Sequence, residues 1–191
     1  MKFLFFDTET TGLPIKYKAP YTETSNWPRI VQISWLIANF EGEILKESDF
    51  IIKVDFPIPL EASRVHGITN DIAETKGTVM IDVLTNFIAD LNGINQLICH
   101  NVNFDLPIIQ SELYRHKLQH QINIPSFCTM RNSTDFCQIP GLHGYKWPKL
   151  EELYAICFGK KLMNAHNAMA DVRATYEVFY HLKKERVFIP L

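Results

Sequence analysis

Apolar runs and alternating patterns dominate the first third of the chain. Residues 3–6 form a continuous apolar run, which is typical of a strand buried on both faces of a sheet. Apolar side chains at positions 31, 33, 35 and 37 predict a second strand, and those at 50, 52 and 54 predict a third. A turn at residues 40–43 separates these two strands. The pattern therefore predicts a hairpin beside a buried central strand.

Helical spacing dominates the remainder of the chain. Apolar residues recur every four positions from Val79 to Leu91, which predicts one amphipathic helix. Helices are predicted over residues 79–91, 103–118, 148–158 and 167–183, and a short buried strand over 96–99. Residues 140–144, which are rich in glycine and proline, are predicted to form a loop. Hairpin strands followed by helix–strand–helix units indicate an α/β fold, with helices packed on a mixed sheet.

Composition fits one globular domain spanning residues 1–191. Apolar residues make up 47% of the chain and charged residues 21%, which is ordinary for a folded domain. The first apolar run is only four residues long before Asp7, too short for a signal peptide or a membrane span. The four cysteines form no CxxC pair. We therefore expect a cytoplasmic protein without membrane association.

The net charge of −2 does not by itself indicate a nucleic-acid partner. This does not exclude one, because a protein that holds a single strand end contacts few phosphates. Bound divalent cations would also add positive charge at the site. Function must therefore be inferred from particular residues.

Asp7 and Glu9 are two residues apart at the end of the predicted central strand, so their side chains should leave the same face. Two carboxylates about 4 Å apart repel by about 4 kcal/mol at an effective dielectric near 20. A divalent cation with oxygen ligands would offset this repulsion. The alternative is a polar strand end that faces water.

Two further aspartates and a histidine are candidates. Asp105 follows the strand at 96–99 and opens a helix, where an aspartate also serves as a cap or dipole partner. Asp171 lies on the apolar stripe of the last helix, so it needs either a metal or a salt bridge to a lysine or arginine. His166 precedes that helix, and a histidine there can accept a proton from water.

These residues lie in three motifs. The motifs read Phe-Phe-Asp7-Thr-Glu9-Thr-Thr-Gly-Leu-Pro, His-Asn-Val-Asn-Phe-Asp105, and His166-Asn-Ala-Met-Ala-Asp171-Val-Arg-Ala-Thr. In this order they resemble the DEDDh 3′–5′ exonucleases, the family of the DNA polymerase III proofreading subunit, ribonuclease T and the TREX enzymes. The His-Gly-Ile-Thr sequence that begins at His66 is similar to a fourth family element. The resemblance spans nearly the whole chain.

The resemblance implies a ribonuclease H-like fold and a site for two Mg²⁺ or Mn²⁺ ions. Asp7, Glu9 and Asp171 would bind one ion, and Asp7 would share the second with Asp105, directly or through water. His166 would deprotonate the attacking water. The reaction would release nucleoside 5′-monophosphates by the two-metal displacement.

The resemblance also implies substrate contacts, which would bind the 3′ end of DNA or RNA, single-stranded or frayed. The backbone of Thr10 and Thr11 would approach the terminal nucleotide, and Leu13 would wedge between the last two bases. His66 and Phe104 would flank the terminal sugar and base. For Leu13 and Phe104 the alternative is ordinary core packing. Association with a polymerase is possible for this family, but we see no polymerase-binding tail after the last helix, so we expect a free-standing exonuclease, or one that belongs to a different assembly, rather than a replicative subunit.

Two other functions fit part of the pattern. A phosphatase of the haloacid dehalogenase class also begins with a strand that ends in aspartate, but its motif is DxD, and Glu9 stands at the second position here. A non-catalytic protein that binds nucleic-acid ends would be expected to lack one of the acids. All four acids and His166 are present, which favours the exonuclease.

Overall fold

The computed structural model describes residues 1–118 and 121–189. Its central sheet has six strands in the order β4-β3-β2-β1-β5-β6. The strands are β1 (Lys2–Thr10), β2 (Ile30–Asn39), β3 (Ile44–Lys53), β4 (Thr78–Val79), β5 (Gln96–Cys99) and β6 (Ser126–Cys128). β1, β2 and β3 are antiparallel neighbours, whereas β4, β5 and β6 each join in parallel. The sheet is mixed, as predicted.

Helices cover both faces of this sheet. They are α1 (Leu60–His66), α2 (Asn70–Lys76), α3 (Met80–Asp90), α4 (Val102–Arg115), α5 (Thr129–Asn132), α6 (Thr134–Cys137), α7 (Leu150–Phe158) and α8 (Ala168–Lys184). A 3-10 turn spans Thr24–Asn26, and a small hairpin joins β7 (Pro140–Gly141) to β8 (Gly144–Tyr145). None of the helices in the described ranges has the length and apolar character needed to cross a membrane.

β1 contributes side chains to two hydrophobic layers. Leu4 and Phe6 face the layer formed with α3 and α4, and Phe3 and Phe5 face the layer formed with α7 and α8. All four side chains are at most 1% exposed. Phe5 meets Phe179 of α8 edge to face at 5.3 Å between ring centroids. Because both faces are covered, the end of β1 is held rigidly between the two helical layers.

β2 is buried on both faces, including its polar side chains. Gln32 and Ser34 are 2% and 0% exposed, and both donate hydrogen bonds to Asp49 on β3. Gln32 also accepts the N–H of Ala168, the first residue of α8. These bonds compensate for the burial of the polar groups and fix the start of α8 over the sheet.

Several predicted boundaries are wrong. The helix expected to start at Val79 starts at Met80, because Val79 belongs to β4 and is 51% exposed. The helix expected to reach residue 118 ends at Arg115, and the predicted loop at 140–144 contains the β7–β8 hairpin. The sequence pattern missed several short elements, namely the 3-10 turn, α1, α2, α5, α6, β4 and β6. Most short elements show no periodic pattern, and β5 was predicted only because its residues form a buried apolar run.

Candidate active site

The end of β1 extends beyond its pairing with β5. The two strands pair only from Phe3 to Phe5, whereas β1 continues to Thr10. Asp7 and Glu9 lie on this extension and share the face of Phe5, toward α8. The backbone of the extension is therefore unpaired on its β5 side. This opening receives a side chain from the next helix.

Asp105, in the first turn of α4, fills that opening and is 2% exposed. Its Oδ1 accepts hydrogen bonds from the Thr8 backbone N–H at 3.1 Å and from the Thr8 hydroxyl at 2.6 Å. The Cys99 thiol donates to Oδ2 at 3.2 Å. The carboxylate is thus bonded to β1 and β5, which locks the start of α4 to the end of β1.

Asp171 reaches the same place from α8. Its Oδ2 accepts the backbone N–H of His166 at 3.1 Å, and His166 has a left-handed backbone with φ of 66°. The other oxygen, Oδ1, is buried and has no hydrogen-bond partner among residues 1–118 and 121–189. Within those ranges Asp171 also makes no salt bridge to a lysine or arginine. A buried oxygen without a donor is suited to a cation.

The acidic groups converge on one another. Ligand atoms of Glu9, His166 and Asp171 lie within 4.8 Å of each other. Burial, reinforced by the charges of Asp171 and Asp105, raises the pKa of Glu9 to about 8. Burial is also the largest cause for Asp7, whose pKa is raised well above its usual range, with Asp105, Asp171 and Glu9 adding to it. Burial raises the pKa of Asp105 and of Asp171 to about 6.

This chemistry fits a divalent cation. Carboxylate oxygens are the ligands that hard cations such as Mg²⁺ prefer. The mutual repulsion of Asp7, Glu9, Asp105 and Asp171 would be relieved by positive charge, and Asp171 Oδ1 has a free ligand position. The four acids that the sequence singled out are therefore together in space, with the His166 ring beside them.

The residues expected to contact substrate lie around the end of β1. Leu13 is 72% exposed, so core packing does not explain it. Phe104, in the first turn of α4, is half-buried, packs against the core and lies 6.4 Å from Tyr17 between ring centroids. His66 ends α1, and burial lowers its pKa, with the Thr10 backbone and His166 both close enough to act on its charge.

Thr11 is held by its backbone and side chain together. Its N–H donates to Arg29 O at 2.9 Å, and its hydroxyl accepts the Arg29 N–H at 3.0 Å. Thr10 is 7% exposed, and its hydroxyl donates to Gly12 O at 2.7 Å. Thr10 and Thr11 therefore form a fixed turn next to the carboxylates.

Sequence reasoning missed residues that position this site. Thr8 bonds to Asp105, and Gln32 ties α8 to the sheet. Glu112, fully buried in α4, pairs with Arg29 and Arg115. Polar residues in otherwise apolar segments were a detectable signal, but apart from Arg115 their partners lie 83 to 136 residues away in sequence, so pattern alone does not reveal them.

Residues 4–179 match the model of the RNase_T exonuclease family. The chain therefore belongs to this exonuclease family. Members of the family generally use divalent metal ions. The predicted family and the predicted class of enzyme, a 3′–5′ exonuclease and hence a hydrolase, are confirmed at the level of the family.

Individual relatives agree with this assignment. The DNA polymerase III subunit epsilon of Treponema pallidum is 28% identical over 180 residues, covering 93% of this chain and 74% of the relative. The uncharacterized exonuclease CP81 of Escherichia phage 186 is 28% identical over 187 residues, covering 95% and 88%. These relatives align with almost all of the described fold.

Solved structures confirm the ribonuclease H-like fold. A zinc-bound complex of E. coli exonuclease I with single-stranded DNA superposes with a TM-score of 0.74 at 24% identity. The match covers 98% of this chain but only 42% of that protein, so the chain spans less than half of exonuclease I. The likeness establishes the shared fold.

Proposed function

We propose that residues 1–191 form a single exonuclease domain that removes nucleoside 5′-monophosphates one at a time from nucleic-acid 3′ ends. The observation that carries this proposal is the convergence of four carboxylates, two buried and two half-buried, with one oxygen of Asp171 left without a donor. Family membership supplies the class of reaction. The substrate would be single-stranded or frayed DNA or RNA, and the compartment the cytoplasm.

Each acid has a role in holding cations. Asp7, Glu9 and Asp171 would hold one Mg²⁺ or Mn²⁺, and Asp7 with Asp105 the second. The two cations, once bound, supply positive charge that activates water and stabilises the leaving oxygen. The hydrogen bonds from Thr8 and Cys99 keep Asp105 oriented, and Gln32 keeps α8 seated so that Asp171 faces Glu9.

His166 would accept the proton of the attacking water. Its side chain is exposed at the rim of the acidic cluster, where both water and substrate reach it. The bond from its own N–H to Asp171 fixes the backbone of His166 beside a carboxylate that would hold a cation. The departing 3′ oxygen of the shortened strand is protonated by solvent.

The residues that would contact the substrate lie around the end of β1. Thr10 and Thr11 present a rigid turn beside the carboxylates, and the exposed Leu13 extends beyond it. His66 and Phe104 border the same space. Single-stranded DNA is bound to E. coli exonuclease I in the complex that superposes on this chain, which is in keeping with an unpaired end as substrate.

The test is digestion of 5′-labelled oligonucleotides with Mg²⁺, using single-stranded, blunt and mismatched DNA and RNA. We expect a ladder that shortens by one nucleotide at a time, and loss of the ladder with Asp7→Asn. The matched control is Asp82→Asn, a change of an exposed carboxylate on α3. Immediate release of labelled mononucleotide, or cutting of a closed circle, would contradict the proposed polarity.

The same samples separate the two alternatives. A phosphatase of the haloacid dehalogenase class would form a covalent aspartyl-phosphate and leave the oligonucleotide intact. A non-catalytic end-binding protein would bind the oligonucleotide without any metal-dependent shortening.

A further inference from the structure

An arginine and a tryptophan form an exposed pair that the proposed reaction does not use. The Arg131 guanidinium carbon lies 5.6 Å from the centre of the Trp147 ring, which is within the range of a cation–π contact. Trp147 is 59% exposed, and Arg131 is exposed as well. Throughout residues 1–118 and 121–189, no carboxylate lies within salt-bridge distance of Arg131. The pair thus presents an aromatic face and an uncompensated positive charge to solvent.

His100 anchors the two segments that carry Arg131 and Trp147. Its Nε2 donates to Pro148 O at 3.1 Å, next to Trp147, and its Nδ1 accepts the Thr129 hydroxyl at 2.9 Å, two residues before Arg131. Burial lowers the pKa of His100 to about 4, so the ring is neutral and one nitrogen is free to accept. Both segments of the pair are therefore anchored to one rigid residue at the end of β5.

The pair lies at the same edge of the sheet as the carboxylates. Thr129 follows β6 directly, and the carboxyl ends of β5 and β6 are in register at Cys99 and Cys128. α7 begins at Leu150, three residues after Trp147, and packs against α8, the helix that carries Asp171, with Tyr154 donating to Glu177 at 2.7 Å. Trp147 therefore directly precedes a helix that packs against the helix of Asp171.

The two groups of candidate contacts lie on opposite flanks of the acids. Thr10, Thr11 and Leu13 extend from the end of β1, and His66 reaches them from the β3 side. Arg131 and Trp147 lie on the β5–β6 side. A strand held on both flanks would pass its phosphodiester across the carboxylates.

We propose that Arg131 and Trp147 bind a nucleotide of single-stranded nucleic acid upstream of the scissile phosphate. Trp147 would stack on the base, and Arg131 would contact a backbone phosphate while keeping the ring in place. Stacking of this kind tolerates any base sequence, as a stepwise exonuclease needs. A local positive charge also explains how a chain with a net charge of −2 engages a polyanion. This inference rests on the proposed function for the direction of the strand.

Intrinsic fluorescence provides a direct test of binding. Of the three tryptophans, Trp27 and Trp35 are 3% and 0% exposed, so acrylamide should quench mainly Trp147. In EDTA, which prevents digestion, oligo(dT) and oligo(U) of increasing length should quench and shield this tryptophan. Trp147→Phe should remove the signal. If neither nucleic acid changes the fluorescence of Trp147, the proposal is wrong. The exposed pair would then be a candidate contact for a protein partner.

Kinetics provides the second test. Trp147→Ala should raise KM for a twelve-nucleotide substrate by about tenfold, the effect of losing one stacked base worth about 1.4 kcal/mol. Its activity on a nitrophenyl ester of TMP, too short to reach the pair, should be unchanged. Arg131→Ala should act in the same direction, with partial recovery in Arg131→Lys. The matched control is Tyr114→Ala, a 54% exposed aromatic residue on α4.

The outcomes distinguish the two proposals. If the wild type cleaves oligonucleotides but Trp147→Ala raises KM equally for the ester and the long strand, the exonuclease stands and this binding site is wrong. If no substrate is cleaved but oligonucleotides still shield Trp147, the binding site stands and the exonuclease proposal fails.

Discussion

Arg29 Nε donates to Glu112 Oε1 at 2.8 Å, and the Glu112 side chain is completely buried. The same oxygen accepts Arg115 Nη1 at 2.8 Å, so one carboxylate joins two arginines. Arg115 in turn donates to backbone carbonyls of the turn that precedes β2, including Trp27 O at 2.6 Å. Through Arg29, this cluster fixes the backbone that encloses Thr11.

We expect Glu112→Gln to lower the free energy of unfolding by about 3–5 kcal/mol, because it leaves two arginines without their buried counter-charge. Urea denaturation monitored by circular dichroism gives this quantity. The control is Glu74→Gln, which removes an exposed pair with Lys53 and should cost less than about 1 kcal/mol. Equal losses in the two variants would contradict the role of Glu112.

In the folded protein, Arg29→Ala should raise KM for an oligonucleotide more than it lowers kcat, because the turn at Thr11 loosens.

Thr8→Val should destabilise the protein without metal by about 1–3 kcal/mol, since it removes a hydroxyl that donates to a buried carboxylate. The two side chains have nearly the same shape, so packing changes little. Thr8→Ser keeps the hydroxyl and serves as the matched control. Urea denaturation in EDTA measures both. If Thr8→Val and Thr8→Ser prove equally stable, the bond to Asp105 contributes nothing.

The stability of the metal-free protein should depend on pH in an unusual direction. Folding raises the pKa of Glu9 to about 8 and that of Asp105 and Asp171 to about 6, above their values in the unfolded chain. The folded state therefore binds more protons, and the free energy of unfolding should fall as pH rises from about 4 to about 8. Thermal melts in EDTA across this range measure the decline.

Two samples serve as controls for this pH dependence. Glu9→Gln should flatten the decline between about pH 6 and 8, because it removes a carboxyl group whose pKa in the folded protein is about 8. Mg²⁺ at 100 times its dissociation constant should add about 2.7 kcal/mol of stability per site, mostly at the alkaline end. A melting temperature that rises with pH in EDTA would show that the carboxylates are not held together as described.

His166→Asn should reduce kcat by roughly a hundredfold to ten-thousandfold while leaving the melting temperature and KM nearly unchanged. Asparagine tolerates the left-handed backbone at this position, so the N–H bond to Asp171 is preserved while the proton acceptor is lost. Steady-state kinetics on a single-stranded oligonucleotide measures the effect. Full activity in this variant would remove His166 from proton transfer.

Leu13→Ala should weaken digestion of blunt duplex ends more than digestion of single strands. If Leu13 separates the last two bases, its loss leaves the cost of opening a terminal step, about 1.4 kcal/mol or tenfold in rate, without compensation. Ile15→Ala is the matched control, because Ile15 is 77% exposed on the same loop. The same loss of activity on both substrates would place Leu13 outside strand separation.

Asp7 and Asp171 stood out from the local pattern, whereas Asp105 resembles an ordinary helix cap and was singled out only by the resemblance of the three motifs to the DEDDh exonucleases. Asp7 interrupts an apolar strand, and Asp171 lies on the apolar stripe of α8, so both needed a partner. Local pattern also predicted the long elements, since β2 and α8 each span many residues. The position of β1 between β2 and β5 could not be predicted from local pattern, because parallel pairing depends on contacts distant in sequence.

The positioning residues could not be predicted in the same way. Gln32 looks like an ordinary polar position in an alternating strand, and its bond to Ala168 exists only once α8 covers the sheet. Likewise, Arg131 and Trp147 are ordinary residues in the sequence and meet only because His100 contacts both α5, which carries Arg131, and Pro148, which follows Trp147. In each case the partner is selected by the tertiary fold.

The topology of β1 has a consequence for the order of folding. Its antiparallel neighbour β2 follows close along the chain and pairs in turn with β3, whereas Lys2 meets Asn95 beside β5 across 93 residues. Closing that longer loop costs more entropy, so the hairpins form before β5 docks. Docking of β5 brings Asp105 against Asp7 and creates their repulsion. Divalent cations should therefore accelerate the last stage of refolding and leave the first stage unaltered.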